Sequence, residues 1–148
     1  MEPFNFNDTT LGTLTWHSEY REWQGTVQIT PTESIEVIIS TGNDSSEPAD
    51  ALPEAREQWQ TVLDALPKVR DAATAFCISR YCKVEPDHSL SDAEVADHLS
   101  MEGVTLQSGF LGAPTIMVHF SDGDLFGGHS VDVEMNGQGD IEGVFLNG

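Results

Sequence analysis

Apolar residues recur at steps of three and four through the middle of the chain, over about 30 residues. This spacing places them on one side of an α-helix, so it predicts a long amphipathic helix that buries that side. Pro67 lies inside the stripe, and an internal proline removes a main-chain hydrogen bond, so we expect a kink or two helices meeting there. The stripe consists of Leu52, Ala55, Trp59, Val62, Leu63, Leu66, Val69, Ala73 and Phe76.

Segments that alternate polar with apolar residues lie on both sides of this helix, and such alternation is typical of half-buried strands. Three precede the helix, at residues 13–16, 23–29 and 34–40, and four follow it, at 104–107, 116–120, 131–135 and 141–145. Strands grouped apart from helices predict an α+β fold. We expect one domain over residues 1–148, in the order β-β-β-α-α-β-β-β-β, with an antiparallel sheet and helices on one face.

The second, shorter helix is predicted from its start. Ser91 and Glu94 have the spacing of a capping box, in which each side chain accepts a hydrogen bond from the other residue's backbone amide. Val95 and Leu99 would form its buried side, and Gly103 offers a place for it to stop.

Acidic residues outnumber basic ones by 25 to 6, which gives a formal net charge of −19. A chain of this charge repels phosphate backbones and anionic lipids, so we expect neither nucleic-acid nor membrane binding. From residue 84 onward there are twelve acidic residues and no Lys or Arg. This excess is typical either of solubility in a salty interior or of a docking face for a basic protein.

The apolar runs, the first residues and the two cysteines indicate the expected compartment of the protein and the state of its thiols. The apolar runs are far shorter than the roughly 20 residues of a membrane helix, and the chain does not begin like a secretory signal, so we expect a cytoplasmic protein. Cys77 and Cys82 are five residues apart on a predicted helix, where they face different directions, so we expect reduced thiols. The sequence indicates no cofactor and does not predict an oligomeric state.

One segment near the C-terminus carries residues suited to a site. A turn signal at Asp122-Gly123 is followed by a flexible glycine pair directly before His129 and a strand. The candidate functional residues are Asp122, Asp124, Phe126, Gly127, Gly128 and His129. No phosphate loop, zinc-protease helix or nucleophile motif is present, so no catalytic residue is predicted.

Three interpretations of His129 remain open, and one of them is contact with a partner protein. Imidazoles and carboxylates are ordinary zinc or manganese ligands, so His129, His119 and Asp132 could form a metal site if the fold brings them together. Alternatively, the glycine pair forms a β-bulge and the His129 ring locks it through a hydrogen bond to a backbone carbonyl.

The three tryptophans have two expected roles. We expect Trp23 and Trp59 in the core, since each occupies an apolar position of its strand or helix. The role of Trp16 beside His17 stays open: a half-exposed aromatic on an edge strand would suit a protein interface.

Several of these motifs together resemble a family of uncharacterised bacterial domains. They are Leu11-Gly12, Trp23-Gln24-Gly25, the capping box at Ser91, Phe120-Ser121-Asp122, and Phe126-Gly127-Gly128-His129 before a β-branched strand. The resemblance covers almost the whole chain and implies no activity. The tryptophan that the family often has before the second helix is absent here, where residues 84–88 read Val-Glu-Pro-Asp-His.

Three hypotheses of function follow. The sequence favours a non-enzymatic cytoplasmic binding module that masks a basic protein, by analogy with acidic immunity proteins of toxin systems. The alternative is a small metal-binding domain or metal-assisted hydrolase centred on His129 and His119. A third hypothesis is an accessory domain whose charge serves only tolerance of salt.

Overall fold

A single eight-stranded sheet with two helices forms the fold in the computed structural model, which describes residues 4–41, 46–84, 87, 90–107 and 115–147. The elements in chain order are β1 (Phe4–Asp8), β2 (Gly12–His17), β3 (Glu22–Thr30), β4 (Glu33–Ser40), α1 (Pro48–Val84), α2 (Asp92–Asp97), β5 (Ser100–Gln107), β6 (Thr115–Ser121), β7 (Ser130–Asn136) and β8 (Ile141–Asn147). The predicted α+β class is confirmed.

The strands lie in the sheet in the same order as in the chain. Six neighbouring pairs are antiparallel, and β4 pairs with β5 in parallel. The sheet is therefore mostly antiparallel, as expected, with one parallel pair that the strand patterns did not indicate. Between β4 and β5 the chain crosses over through both helices, and a crossover of this length is what a parallel pair requires.

Strand β1 was not among the expected elements, and its presence changes the environment of Trp16. Phe4 pairs with Trp16 across β1 and β2, so β2 is an interior strand. Trp16 is only 6% exposed and its ring lies 5.4 Å from that of Trp23. Trp16 is therefore a core residue rather than a half-exposed aromatic on an edge strand, and Trp23 and Trp59 are buried as expected.

Helix α1 runs without a break through Pro67, so the chain does not divide into two helices there. The apolar stripe continues on both sides of the proline, with Val62, Ala65, Val69 and Ala73 all buried. Burial of this side against the sheet outweighs the one hydrogen bond that Pro67 removes. Neither helix in the described part of the chain is both long and apolar enough to cross a membrane.

Helix α2 starts at the predicted capping box. The Ser91 hydroxyl accepts from the Glu94 amide at 3.2 Å, and the Glu94 carboxylate accepts from the Ser91 amide at 3.1 Å. The helix is short and ends at Asp97, before Leu99, and Gly103 lies inside β5 rather than at the helix end. Val95 is the residue that α2 buries.

Alternation along the strands divides the sheet into two faces. One face packs on α1 and forms a single hydrophobic core with it, which includes Leu14, Trp23, Ile39, Val118 and Val133. We call the other side the helix-free face. It carries the intervening residues of each strand, among them Thr15, Gln24, Glu36, Thr105, His119, Asp132, Glu134 and Phe145.

Candidate functional site

The Asp122 carboxylate organises the predicted functional segment. Asp122 follows β6 on the helix side of the sheet and is fully buried. Its carboxylate accepts hydrogen bonds from three backbone amides of the loop, those of Asp124 at 2.9 Å and of Phe126 and His129 at 3.0 Å. Burial raises the pKa of Asp122, but these donors outweigh it and hold the pKa below its ordinary value. The loop is therefore folded around a buried carboxylate ion.

The glycines of this loop supply backbone angles that other residues rarely adopt. Gly127 and Gly128 have φ values of 86° and 83°. Gly123 has φ 55°, and a Cβ placed there would lie 2.5 Å from the backbone oxygen of His98. The turn thus packs directly against the end of α2, and only glycine permits that approach.

Within the described residues, the backbone of His129 and not its ring fixes this loop. The loop is fixed through the backbone amide of His129 and the Asp122 carboxylate, rather than through a ring-to-carbonyl hydrogen bond. Within the described structure, the buried ring nitrogen Nδ1 of His129 has no hydrogen-bond partner. His129 is still close enough to Asp122 for its charge to lower the pKa of that carboxyl group.

Cys77 of α1 lies close to the same loop. It is fully buried, and burial together with the charge of Asp122 raises the pKa of its thiol to about 11. The thiol is therefore protonated at neutral pH and unsuited to act as a nucleophile or metal ligand. Cys77 and Cys82 are both free thiols, as the sequence predicts, and Cys82 is exposed.

A second polar cluster lies on the helix-free face and spans four neighbouring strands. His119 of β6 contacts Asp132 of β7 through Nδ1 at 2.8 Å and Thr105 of β5 through Nε2 at 2.8 Å. Ser130 donates to Asp132 at 2.5 Å, and Asn147 of β8 donates to the other carboxylate oxygen. A continuous chain of hydrogen bonds, which we call the cross-strand chain, therefore runs across β5 to β8 through Thr105, His119, Asp132, Ser130 and Asn147.

The ionisation of Asp132 determines which groups donate and which accept along the cross-strand chain. Burial raises the pKa of Asp132, but hydrogen bonds from Ser130, His119 and Asn147 outweigh it and lower the pKa. An ionised carboxylate can only accept, so Nδ1 of His119 must donate to it. In a neutral ring Nε2 is then the acceptor, and Thr105 donates its hydroxyl proton to it. This donor order matches that of nucleophilic triads.

The predicted metal candidates do not all meet. His119 and Asp132 contact each other on the helix-free face. His129 precedes β7 in phase with the buried Val131 and Val133, so it lies on the helix side of the sheet. The described residues contain no group of three His, Cys, Asp or Glu side chains arranged to hold a metal.

Three members of the cross-strand chain, Thr105, Ser130 and Asn147, were not among the candidates from sequence. Each is an ordinary polar residue at an alternating strand position, and none belongs to a motif. Only the strand register brings them together, through pairs such as His119 with Asp132 and Ser130 with Asn147. One signal could have pointed to the chain: Thr105, His119 and Asp132 are polar residues that each lie between two buried apolar residues of their strand.

Charge divides between the helix and the sheet. Helix α1 holds five acidic and five basic residues, so the whole excess of −19 lies outside it. The eight strands contain no Lys or Arg. Their acidic residues are Asp8, Glu22, Glu33, Glu36, Glu102, Asp132, Glu134 and Glu142. The sheet therefore presents one sign of charge, and the helix is balanced.

Comparison with known proteins identifies the family of this chain. No curated protein and no solved structure matches it. A family model described as an uncharacterised protein conserved in bacteria, DUF2262, matches residues 8–144. That span includes the Asp122 loop, the members of the cross-strand chain up to Asp132, and both helices. The chain therefore belongs to the DUF2262 family of bacterial proteins, as its resemblance to an uncharacterised bacterial family indicated.

Proposed function

We propose that this protein is a non-enzymatic cytoplasmic binding module whose helix-free face docks a basic protein. The single observation that carries this proposal is the absence of Lys and Arg from all eight strands, while α1 balances its charges. Interspersed charges of both signs, as on α1, are the usual surface of a soluble domain, whereas a sheet of one sign suits a partner of the opposite sign. Electrostatic complementarity of this kind favours a cationic partner and speeds its association.

Three carboxylates distribute the negative charge across the helix-free face. Glu22 on β3, Glu36 on β4 and Glu134 on β7 all lie on this face by the alternation of their strands. Glu36 is exposed, and the other two are half-buried. A partner's Lys or Arg side chains can pair with them at the surface, where each pair contributes modestly and depends on salt.

The rest of the helix-free face offers uncharged hydrogen-bonding groups with a few apolar positions. Amide and hydroxyl side chains include Asn5, Asn7, Thr13, Thr15, Gln24 and Thr26. Ile38, Met117 and Phe145 supply partly exposed apolar surface. Polar groups around apolar contacts are the composition of protein interfaces of the non-obligate kind.

The test compares two variants of equal charge. One removes three carboxylates from the helix-free face, by Glu22→Gln, Glu36→Gln and Glu134→Gln. The matched control removes three exposed carboxylates from α1, by Glu57→Gln, Asp64→Asn and Asp71→Asn. Each protein is used to capture partners from lysate of a bacterium that encodes it, and the recovered complex is measured against salt.

We expect wild type and the α1 control to retain the same basic protein at low salt and to release it as salt rises. The helix-free-face variant should bind that protein about tenfold more weakly. Equal weakening in both variants would show that only overall charge matters. Recovery of no basic protein by wild type would also overturn the proposal.

A further inference from the structure

We infer that the outer edge of β8 accepts an extended strand from a partner, in which apolar residues alternate with Lys or Arg. This inference rests on the proposed function, because it names the segment that a basic partner would present. It concerns the edge of the sheet at β8, which shares Glu134 and Phe145 with the helix-free face.

Among the residues that the structure describes, none pairs with the outer edge of β8. β8 is the last strand in the order, and it pairs with β7 on one side only. Alternate amide and carbonyl groups of an edge strand point outward without a ladder partner. Natural edges are commonly protected by Lys or Pro, and β8 contains neither. Its register shift is confined to the start, which leaves residues 143–147 regular.

Side chains on the helix side of β8 are incompletely covered. Val131 and Val133 on β7 are fully buried, whereas their partners Leu146 and Val144 on β8 are only partly buried. Ile141 is likewise partly buried against the core. A ninth strand would place its own side chains beside these three residues, so its residues on this side should be apolar.

On the other side of β8, the surface favours a cation. Phe145 is 45% exposed on the helix-free face, and its ring lies over Gly143. A Lys or Arg of the added strand would lie next to that ring, where a cation–π contact is favourable. Glu134, the neighbour of Gly143 on β7, adds a carboxylate behind the glycine. No Lys or Arg occurs after residue 83 to compete for these groups.

The opposite edge of the sheet lacks this combination. β1 also has an exposed phenylalanine, Phe4 at 48%. Its carboxylate, Asp8, is already paired with Arg56 of α1 through Nε at 2.7 Å. A cationic strand is therefore favoured at β8 and not at β1, and Phe4 provides a matched control for Phe145.

The experiment uses a short peptide of alternating valine and lysine as the probe. A second peptide of the same sequence is N-methylated at the alternate residues whose N–H groups would face β8. This removes the donors to β8 and keeps the charge of the peptide. Binding is measured by fluorescence anisotropy at low salt to wild type, Phe145→Lys and Phe4→Lys, and amide hydrogen exchange is followed in each complex.

We expect the unmethylated peptide to slow amide exchange within residues 141–147 and to leave β1 unchanged. Phe145→Lys should weaken binding about tenfold, and Phe4→Lys should leave it within about twofold of wild type. The methylated peptide should bind at least tenfold more weakly than its parent.

Two results would overturn the inference: equal weakening by both lysine variants, or equal binding of both peptides. If binding persists in those cases but falls in a variant that carries only Glu22→Gln and Glu36→Gln and keeps Glu134, the β8 inference fails and the proposed function stands. If neither peptide binds and lysate yields no basic partner, both fail.

Discussion

The Asp122 carboxylate accepts a hydrogen bond from the backbone amide of His129, seven residues further along the chain, at 3.0 Å. This contact closes the loop between β6 and β7, and two other amides of the loop donate to the same carboxylate. In this structure the Asp122 carboxylate therefore holds the turn against the helices. Replacing Asp122 should lower the free energy of unfolding.

We expect Asp122→Asn to lower the free energy of unfolding by about 2 kcal/mol, because the amide NH₂ cannot accept and leaves a buried backbone N–H without a partner. Urea denaturation followed by circular dichroism measures this. Asp124→Asn is the control, since Asp124 is exposed with φ 68° and asparagine tolerates that angle. A control as destabilised as Asp122→Asn would contradict the role of the carboxylate.

Acid should weaken the fold through the same group. The folded-state pKa of Asp122 lies below its ordinary value of 3.8, so its stabilisation is complete above that value. It is lost as pH falls below 3.8 and through the folded pKa, since the unfolded chain takes up the proton first. Urea unfolding at steps between pH 7 and pH 3 should show wild type and Asp122→Asn converging at acid pH. A constant difference across this range would argue against the shift.

Two of the three glycines of the loop should tolerate substitution unequally. Gly123→Ala should lower the free energy of unfolding by about 3 kcal/mol, because its Cβ would overlap the His98 carbonyl in addition to straining φ. Gly128→Ala meets Asp124 Oδ1 at an ordinary 3.5 Å, so only its φ of 83° costs energy, about 1 kcal/mol. Thermal unfolding of the two variants measures the difference, and equal costs would refute the close approach to α2.

Thiol labelling should distinguish the two cysteines. Cys82 is exposed and should react with a thiol reagent at once in the native protein. Cys77 is fully buried and its thiol has a pKa of about 11, so it should react only after unfolding. The expected count is one reactive thiol per native chain and two in denaturant. Rapid modification of both native thiols would contradict the packing of α1 on the loop.

The cross-strand chain predicts the tautomer of His119. Since the ionised Asp132 can only accept, the neutral ring should carry its proton on Nδ1. Long-range ¹H–¹⁵N correlation spectra report which ring nitrogen is protonated. Thr105→Val should free Nε2 and lower stability by about 1 kcal/mol while leaving the tautomer unchanged. A proton found on Nε2 of the neutral ring would exclude this arrangement.

The sequence predicted those structural features that depend only on residues close together in the chain. The capping box at Ser91, the buried stripe of α1 and the core tryptophans are of this kind. β1 was missed because its five residues contain two phenylalanines beside two asparagines and an aspartate, which is a weak strand pattern. Without β1, β2 is the first strand of the expected sheet, which is why the sequence could not decide whether Trp16 is buried.

Pairing between distant segments could not be predicted in the same way. The parallel contact of β4 with β5, and the chain from Thr105 to Asn147, depend on strand register. Charge shows the same limit. In the sequence most of the excess lies from residue 84 onward, whereas in the folded chain α1 is neutral and the excess lies outside it, with no Lys or Arg on the strands.

The strand order has a kinetic consequence. Because each strand pairs with its neighbour in the chain, β1–β4 and β5–β8 can each form by successive hairpins with short loop closures. The exception is the pairing of Val37 with Val104, which must close the loop that contains both helices. That closure carries the largest entropic cost, so joining of the two meanders over α1 is the step expected to limit the folding rate.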